Sequence, residues 1–282
     1  MIQVANLRYR YADQDALRGI SFAVASGEIF ALLGPNGAGK STTLKLLIGQ
    51  LEMQAGTVGL LGAAMPNGRA QVQPRLGVAF EEKNLYPAMT GRENLQFFAE
   101  LFGVNPNLDG LLERVDLLDR ADDRVAEYSK GMRQRLMIAR SLVNAPDLLF
   151  LDEPTDGLDP VSAQKIRGLI RAEAARGAAI VLTTHDMHEA DQLSDRVAFL
   201  NDGEILLEGE PQQLKLAHGQ RSVRVTFERG GELEVEELKL DGPSERSALA
   251  QAMSDPDLRT VHTEEATLEQ IFVAVAGRGL VE

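Results

Sequence analysis

The stretch Gly34-Pro35-Asn36-Gly37-Ala38-Gly39-Lys40-Ser41, followed by Thr42, has the residue types and spacing needed to hold a phosphate. Glycines let backbone N–H groups curl around an anion without Cβ clashes, and a helix starting at the same point adds partial positive charge. Lys40 is then placed to reach the β- and γ-phosphates of a nucleotide, and the Ser41 hydroxyl to ligate Mg²⁺. A glycine-rich loop that only caps a helix is the plainer reading. Against it, an apolar run precedes this loop, and lysine, hydroxyl and helical spacing follow in register.

A second cluster closes the apolar run Leu148–Leu151 with Asp152, Glu153 and Pro154. Ligands bind at the carboxyl ends of strands in parallel α/β sheets. Asp152 suits the shell of a metal ion, directly or through water. Strand alternation turns Glu153 to the other side, where it can polarise an attacking water. A helix-capping acid pair is the competing reading. His185 closes the next apolar run, Ile180–Thr184. Alone, such a histidine is more often structural, but parallel neighbours would bring it to Glu153 and the γ-phosphate.

The elements that must position these groups are legible in outline. Residues 2–9 and 20–24 alternate like strands, whereas Ile29–Leu33 is an unbroken apolar run suited to a strand buried on both faces. Helical spacing covers Ser41–Ile48, Asn94–Phe102, Leu108–Leu118, Lys130–Val143 and Val161–Ala175. Asn201–Gly203 reads as a hairpin turn. Strand–helix alternation implies an α/β core with a parallel sheet, interrupted by a helical insertion at about 90–143. Past about Gly219 the texture changes to two strands, Arg221–Glu228 and Glu232–Leu240, and two helices, Ser244–Met253 and Thr267–Val275. The expected division is a main domain over 1–217 and a small α+β C-terminal domain over 218–282.

Composition narrows the classes. The 282-residue chain has no cysteine, which excludes disulfides and thiolate chemistry. No apolar run approaches the ~18 residues of a membrane span, so any action on a membrane passes through a partner. A net charge of −13 counts against nucleic-acid binding.

With Tyr128-Ser129-Lys130-Gly131-Met132 and Gly157-Leu158-Asp159 added in their order, residues 1–215 resemble the nucleotide-binding subunits of ABC transporters, particularly those paired with ABC-2-type permeases. The resemblance implies a P-loop NTPase cassette: a RecA-like parallel-sheet core, an N-terminal antiparallel β subdomain, an inserted helical subdomain and the C-terminal appendage. It implies a Mg²⁺-dependent ATPase driving a separate membrane permease, an exporter, from the cytoplasmic face of the membrane. Two copies would face head to tail, each ATP held by the P-loop of one and by Ser129 and Gly131 of the other, with Asp159 coupling the sites. Tyr11 stands where the family places an aromatic on adenine, and Tyr9 competes for that role. Tyr86 and Pro87 lie on the rim of the groove that would receive the permease, or simply pack in a loop.

Two departures from the family stand out. Glu81 occupies the position of a glutamine near the metal, and is expected to keep a metal-sensing role. In the signature, Lys130 replaces a glycine and Met132 a glutamine; the Lys130 ammonium would face phosphate or solvent. A soluble ABC ATPase remodelling a macromolecular complex is the alternative in another class. A P-loop GTPase is disfavoured by the lack of an Asn-Lys-x-Asp guanine reader. The appendage would regulate, contact the permease, strengthen the dimer or pack on the core.

Overall fold

The computed structural model describes residues 1–80, 85–218, 222–239, 243–264 and 266–277. Its contacts divide the chain into two compact units, Met1–Glu208 and Gly209–Glu282.

The first unit opens with the antiparallel strands β1 (Ile2–Tyr11) and β2 (Gln14–Val24). Both run further toward their shared turn than the apolar alternation indicates, with Arg10 opposite Asp15 and Tyr11 opposite Gln14. Backbone pairing holds this end, and a ladder needs no apolar side chains. Next come β3 (Ile29–Leu33), buried along its whole length, and α1 (Lys40–Leu47). Strands β4 (Ala55–Leu60) and β5 (Ala63–Ala64) complete a four-stranded antiparallel sheet in the order β2-β1-β4-β5.

After the short α2 (Arg69–Val72), β6 (Leu76–Ala79) starts the main sheet. The expected helical insertion contains α3 (Gly91–Phe102), α4 (Leu108–Arg114) and α5 (Lys130–Ser141). Helix α3 begins at a Thr90–Glu93 capping box and ends on Gly103 in the left-handed region. Helix α4 is shorter than the apolar spacing suggests, because Asp116 adopts φ 59° and turns the chain. Strand β7 (Leu148–Asp152), helix α6 (Pro160–Ala175), strand β8 (Ala179–Thr184), helix α7 (Met187–Leu193) and strands β9 (Arg196–Asn201) and β10 (Glu204–Gly209) complete the α/β core.

The main sheet runs β10-β9-β3-β8-β7-β6. Strands β9, β3, β8, β7 and β6 pair in parallel. Asp202 and Gly203 both take positive φ between β9 and β10, as a tight hairpin requires. One consequence governs the site: β8 lies between β3 and β7, so the carboxyl ends of three neighbouring strands open onto the same edge.

The second unit comprises α8 (Pro211–His218), β11 (Ser222–Arg229), β12 (Glu232–Lys239), α9 (Pro243–Met253), β13 (Leu258–Glu264) and α10 (Leu268–Ala276). Its antiparallel sheet, β12-β11-β13, buries Val223, Val225 and Phe227 against Leu238, Leu249 and Leu258. Strand β13 is absent from the sequence reading because its pattern is mostly polar and its inner face is only partly covered. Helix α8 falls in this unit, whose boundary lies at Glu208–Gly209 rather than after 217. Among the described residues no helix is long and apolar enough to cross a membrane.

Candidate active site

Three strand ends build the site. After β3 the loop turns into α1, and space demands glycine at two of its positions, Gly34 and Gly39. Gly39 has φ 110°, and a Cβ there would stand 2.6 Å from the Ala16 carbonyl oxygen. A Cβ on Gly34 would collide with the Leu200 carbonyl oxygen. Lys40 is buried; its Nζ donates to the carbonyls of Gly34 at 2.6 Å and Pro35 at 3.2 Å, and stands 3.9 Å from Glu153 Oε1. The ammonium thus braces the loop and faces the acid that follows β7.

Asp152 ends β7 and is buried. Its Oδ2 accepts from Ser41 Oγ at 2.9 Å and its Oδ1 from Thr183 Oγ1 of β8. Loop hydroxyl and strand carboxylate, 111 residues apart in the chain, are therefore in contact. Thr183 escaped the sequence reading because a threonine within an apolar run reads as ordinary strand.

Glu153 is not the next residue of the strand. Its φ of 47° lies in the left-handed region, so a backbone turn, and not strand alternation, aims its side chain. A non-glycine residue held there costs ~1–3 kcal/mol and persists only where its surroundings enforce it. Its N–H donates to Thr183 O at 2.9 Å. Its Oε2 lies 3.0 Å from His185 Nδ1. The hydrogen bond to Glu153 raises the His185 pKa above its ordinary value, against the opposing effects of burial and the Lys40 charge. An imidazolium donates from both nitrogens, so Nε2 remains to meet an anion while Nδ1 holds Glu153.

Behind these groups sits Glu189 of α7, also missed by the sequence reading. Its carboxylate accepts from Thr155 Oγ1, just past Glu153, and from Thr184 Oγ1 of β8 at 3.1 Å. Burial raises its pKa.

Tyr11, Pro35, Asn36, Gly37, Gly39, Lys40, Ser41, Thr42, Asp152 and Glu153 share one cavity of about 280 Å³. The Tyr11 ring is half exposed at this cavity, whereas Tyr9 packs against the core and meets Tyr11 edge-on at 4.8 Å. Ala38 is buried under the loop. Ser129 and Gly131 do not line the cavity. Ser129 caps α5, its Oγ accepting from Met132 N at 3.2 Å, and Gly131 packs beside Leu158. Lys130 pairs with Asp156 at 2.7 Å and is more than half exposed, so its ammonium stands at the solvent surface with a carboxylate of the same chain beside it. Asp159 caps α6 by accepting from Val161 N and Ser162 N; a hydrogen bond with the Ser162 side chain, together with these backbone bonds, lowers its pKa. Glu81 lies outside the described residues.

Comparison with known proteins meets this geometry at residues 17–156, which match the model of the family described as ABC transporter. The fluoroquinolones export ATP-binding protein of Mycobacterium tuberculosis is 48% identical over 99% of this chain and 94% of its own length. The chain belongs to the ABC transporter ATP-binding family. Nod factor export ATP-binding protein I of Burkholderia orbicola is 38% identical over 98% of the chain and 97% of its own length. Among solved structures, an ATP-binding subunit of an ABC transporter superposes with a TM-score of 0.71 at 31% identity, over 78% of this chain and 93% of that one. An ATP-binding cassette in a dimeric post-hydrolysis state with ADP and Pi gives 0.68 at 26%, over 74% and 98%. The loop Gly34–Thr42, Asp152 at the end of β7 and Glu153 just after it all fall within the residues that match the family.

Proposed function

We propose that this chain is the ATP-hydrolysing motor of an ABC-2-type exporter, acting on a separate membrane permease as a head-to-tail pair of copies. The observation that carries the reading is the convergence of Lys40, Asp152, Glu153 and His185 at the ends of β3, β7 and β8. In it the backbone of the ATP-binding loop and Lys40 hold the β- and γ-phosphates, with Tyr11 against the adenine. Glu153 orients the attacking water and accepts its proton, and His185 Nε2 steadies the γ-phosphate. Catalysis is by positioning and charge stabilisation, without a covalent intermediate.

The donor set fits Mg²⁺, which takes hard oxygen ligands. The Ser41 hydroxyl and the Asp152 carboxylate already lie 2.9 Å apart and would hold the ion, Asp152 directly or through water. Bound there, Mg²⁺ would neutralise charge on the phosphate oxygens. Glu81 would keep the metal-sensing role of the family's glutamine. Ser129 and Gly131, which do not line their own chain's cavity, would meet the γ-phosphate held by a second copy, with Asp159 near the junction. The post-hydrolysis dimer of the related cassette supports this pairing.

Force would leave through a groove in the first unit. Val72, Leu76, Phe80, Phe98 and Phe102 line about 370 Å³, with Arg140 stacked 4.8 Å over Phe98. Tyr86 stands beside it, edge-on to Phe97, its backbone clamped by buried Asn94. A helical segment of the permease would dock here, placing the ATPase at the inner face of the cell membrane. The export names of both relatives support the direction of transport.

Glu153→Gln tests the chemistry. Phosphate release should fall by ~10²-fold or more while ATP binding persists and a closed dimer accumulates. Turnover near the wild-type rate would defeat the role of Glu153. Co-purification with a multi-span protein from detergent-solubilised membranes tests the partner, and recovery only in a soluble assembly would favour the remodelling alternative.

A further inference from the structure

Gln134 lies in the second turn of α5 and is 5% exposed. Its Nε2 donates to Glu153 O at 3.1 Å and to Pro154 O at 3.3 Å, reaching across 19 and 20 positions of sequence. These are the carbonyls of Glu153 and of the residue after it, and Glu153 is the residue held at φ 47°. The Glu153 carbonyl accepts a second bond, from Asp156 N at 3.2 Å, which closes the turn. On its amino side the residue is tied to β8 through Glu153 N–H and Thr183 O. The strained backbone is thus fixed from both sides, and Gln134 grips its carbonyl side from another element.

We propose that Gln134 is a positioning residue for ATP hydrolysis, holding the left-handed turn that aims the Glu153 carboxylate at the attacking water. Glutamine suits the position. Its amide carries two N–H donors on a neutral stem, so it can satisfy two buried carbonyls without burying a charge. A shorter amide would reach the two carbonyls less well. A carboxylate would repel them.

The arrangement has a second consequence, which rests on the proposed pairing of two copies. Ser129 caps the helix that carries Gln134, about 7 Å away along the axis. The hydroxyl that meets the γ-phosphate of one site and the amide that sets the base of the other therefore ride on one rigid helix. Engagement of Ser129 would thus bear on the Glu153 turn through Gln134.

The test is steady-state turnover of the full chain with Gln134→Met, which keeps the length of the side chain and removes the donor. The expected result is a fall in kcat of about 10- to 100-fold, with the Kd for ATP within about twofold of wild type. Placed on Glu153→Gln, the same substitution should change the residual single-turnover rate by less than about twofold, because its effect runs through the missing carboxylate. Gln134→Asn retains the amide one methylene short, and should recover part of the lost kcat relative to Gln134→Met. If either variant fails to fold, the other carries the measurement. Wild-type kcat in Gln134→Met, loss of ATP binding together with turnover, or a full further loss on Glu153→Gln would each overturn the role. Should Glu153→Gln itself turn over normally, the reading of the base fails and this one with it. A slow Glu153→Gln beside a fast Gln134→Met sinks only the positioning role.

Discussion

The Nδ1 of His185 lies 3.0 Å from Oε2 of Glu153, joining the residue after β8 to the residue after β7. That contact favours the imidazolium, and it gives a sign to the pH dependence of stability. A histidine whose folded pKa is raised adds stability that is fully present below its unfolded value of about 6.5 and is lost as pH rises through the higher folded one. Denaturant melts of wild type and His185→Ala should therefore differ most below about pH 6, the gap closing as the solution becomes alkaline. The side chain is more than half exposed, so the gap is small. A gap that widened with pH would contradict the contact.

Glu189 titrates with the same sense for the opposite reason. Burial raises its carboxyl pKa despite the two threonine hydroxyls that donate to it. The folded protein keeps this proton at pH values where the unfolded chain has lost it. Stability from this group is complete below about 4.5 and declines as pH rises toward the raised value. Glu189→Gln removes the titration, so the stability of the variant relative to wild type should climb with pH over that window. Thermal melts at a series of pH values check it, and parallel curves would refute it.

The Lys130–Asp156 pair is solvent-exposed on both sides, and its coupling should be modest. A double-mutant cycle of Lys130→Gly and Asp156→Ser is expected to give less than about 1 kcal/mol, shrinking further in salt. Packing adds a separate effect, since a Cβ on Gly157 would stand 2.8 Å from Lys130 Nζ and the residue has φ 70°. Gly157→Ala should cost about 1 kcal/mol or more, and less when Lys130 is already glycine. Equal cost in both backgrounds would show that only the backbone angle matters.

What the sequence determined by itself was the chemistry carried by consecutive residues. Gly34–Thr42 sits between an apolar strand and a helix, so its capacity to cradle a phosphate is readable from local conformation without knowledge of distant parts. The acids at and just past the end of β7, the histidine after β8 and the helical insertion were legible for the same reason. Periodicity reports the faces of an element, not its neighbours. Strand order was therefore beyond it, and that order, with β8 between β3 and β7, is what places Thr183 on Asp152 and His185 on Glu153. Only the tertiary structure shows that Glu153 leaves the strand in a left-handed turn and that Gln134 holds its carbonyl from another helix. Such contacts depend on how the helical insertion packs back onto the sheet, and local sequence does not encode that geometry.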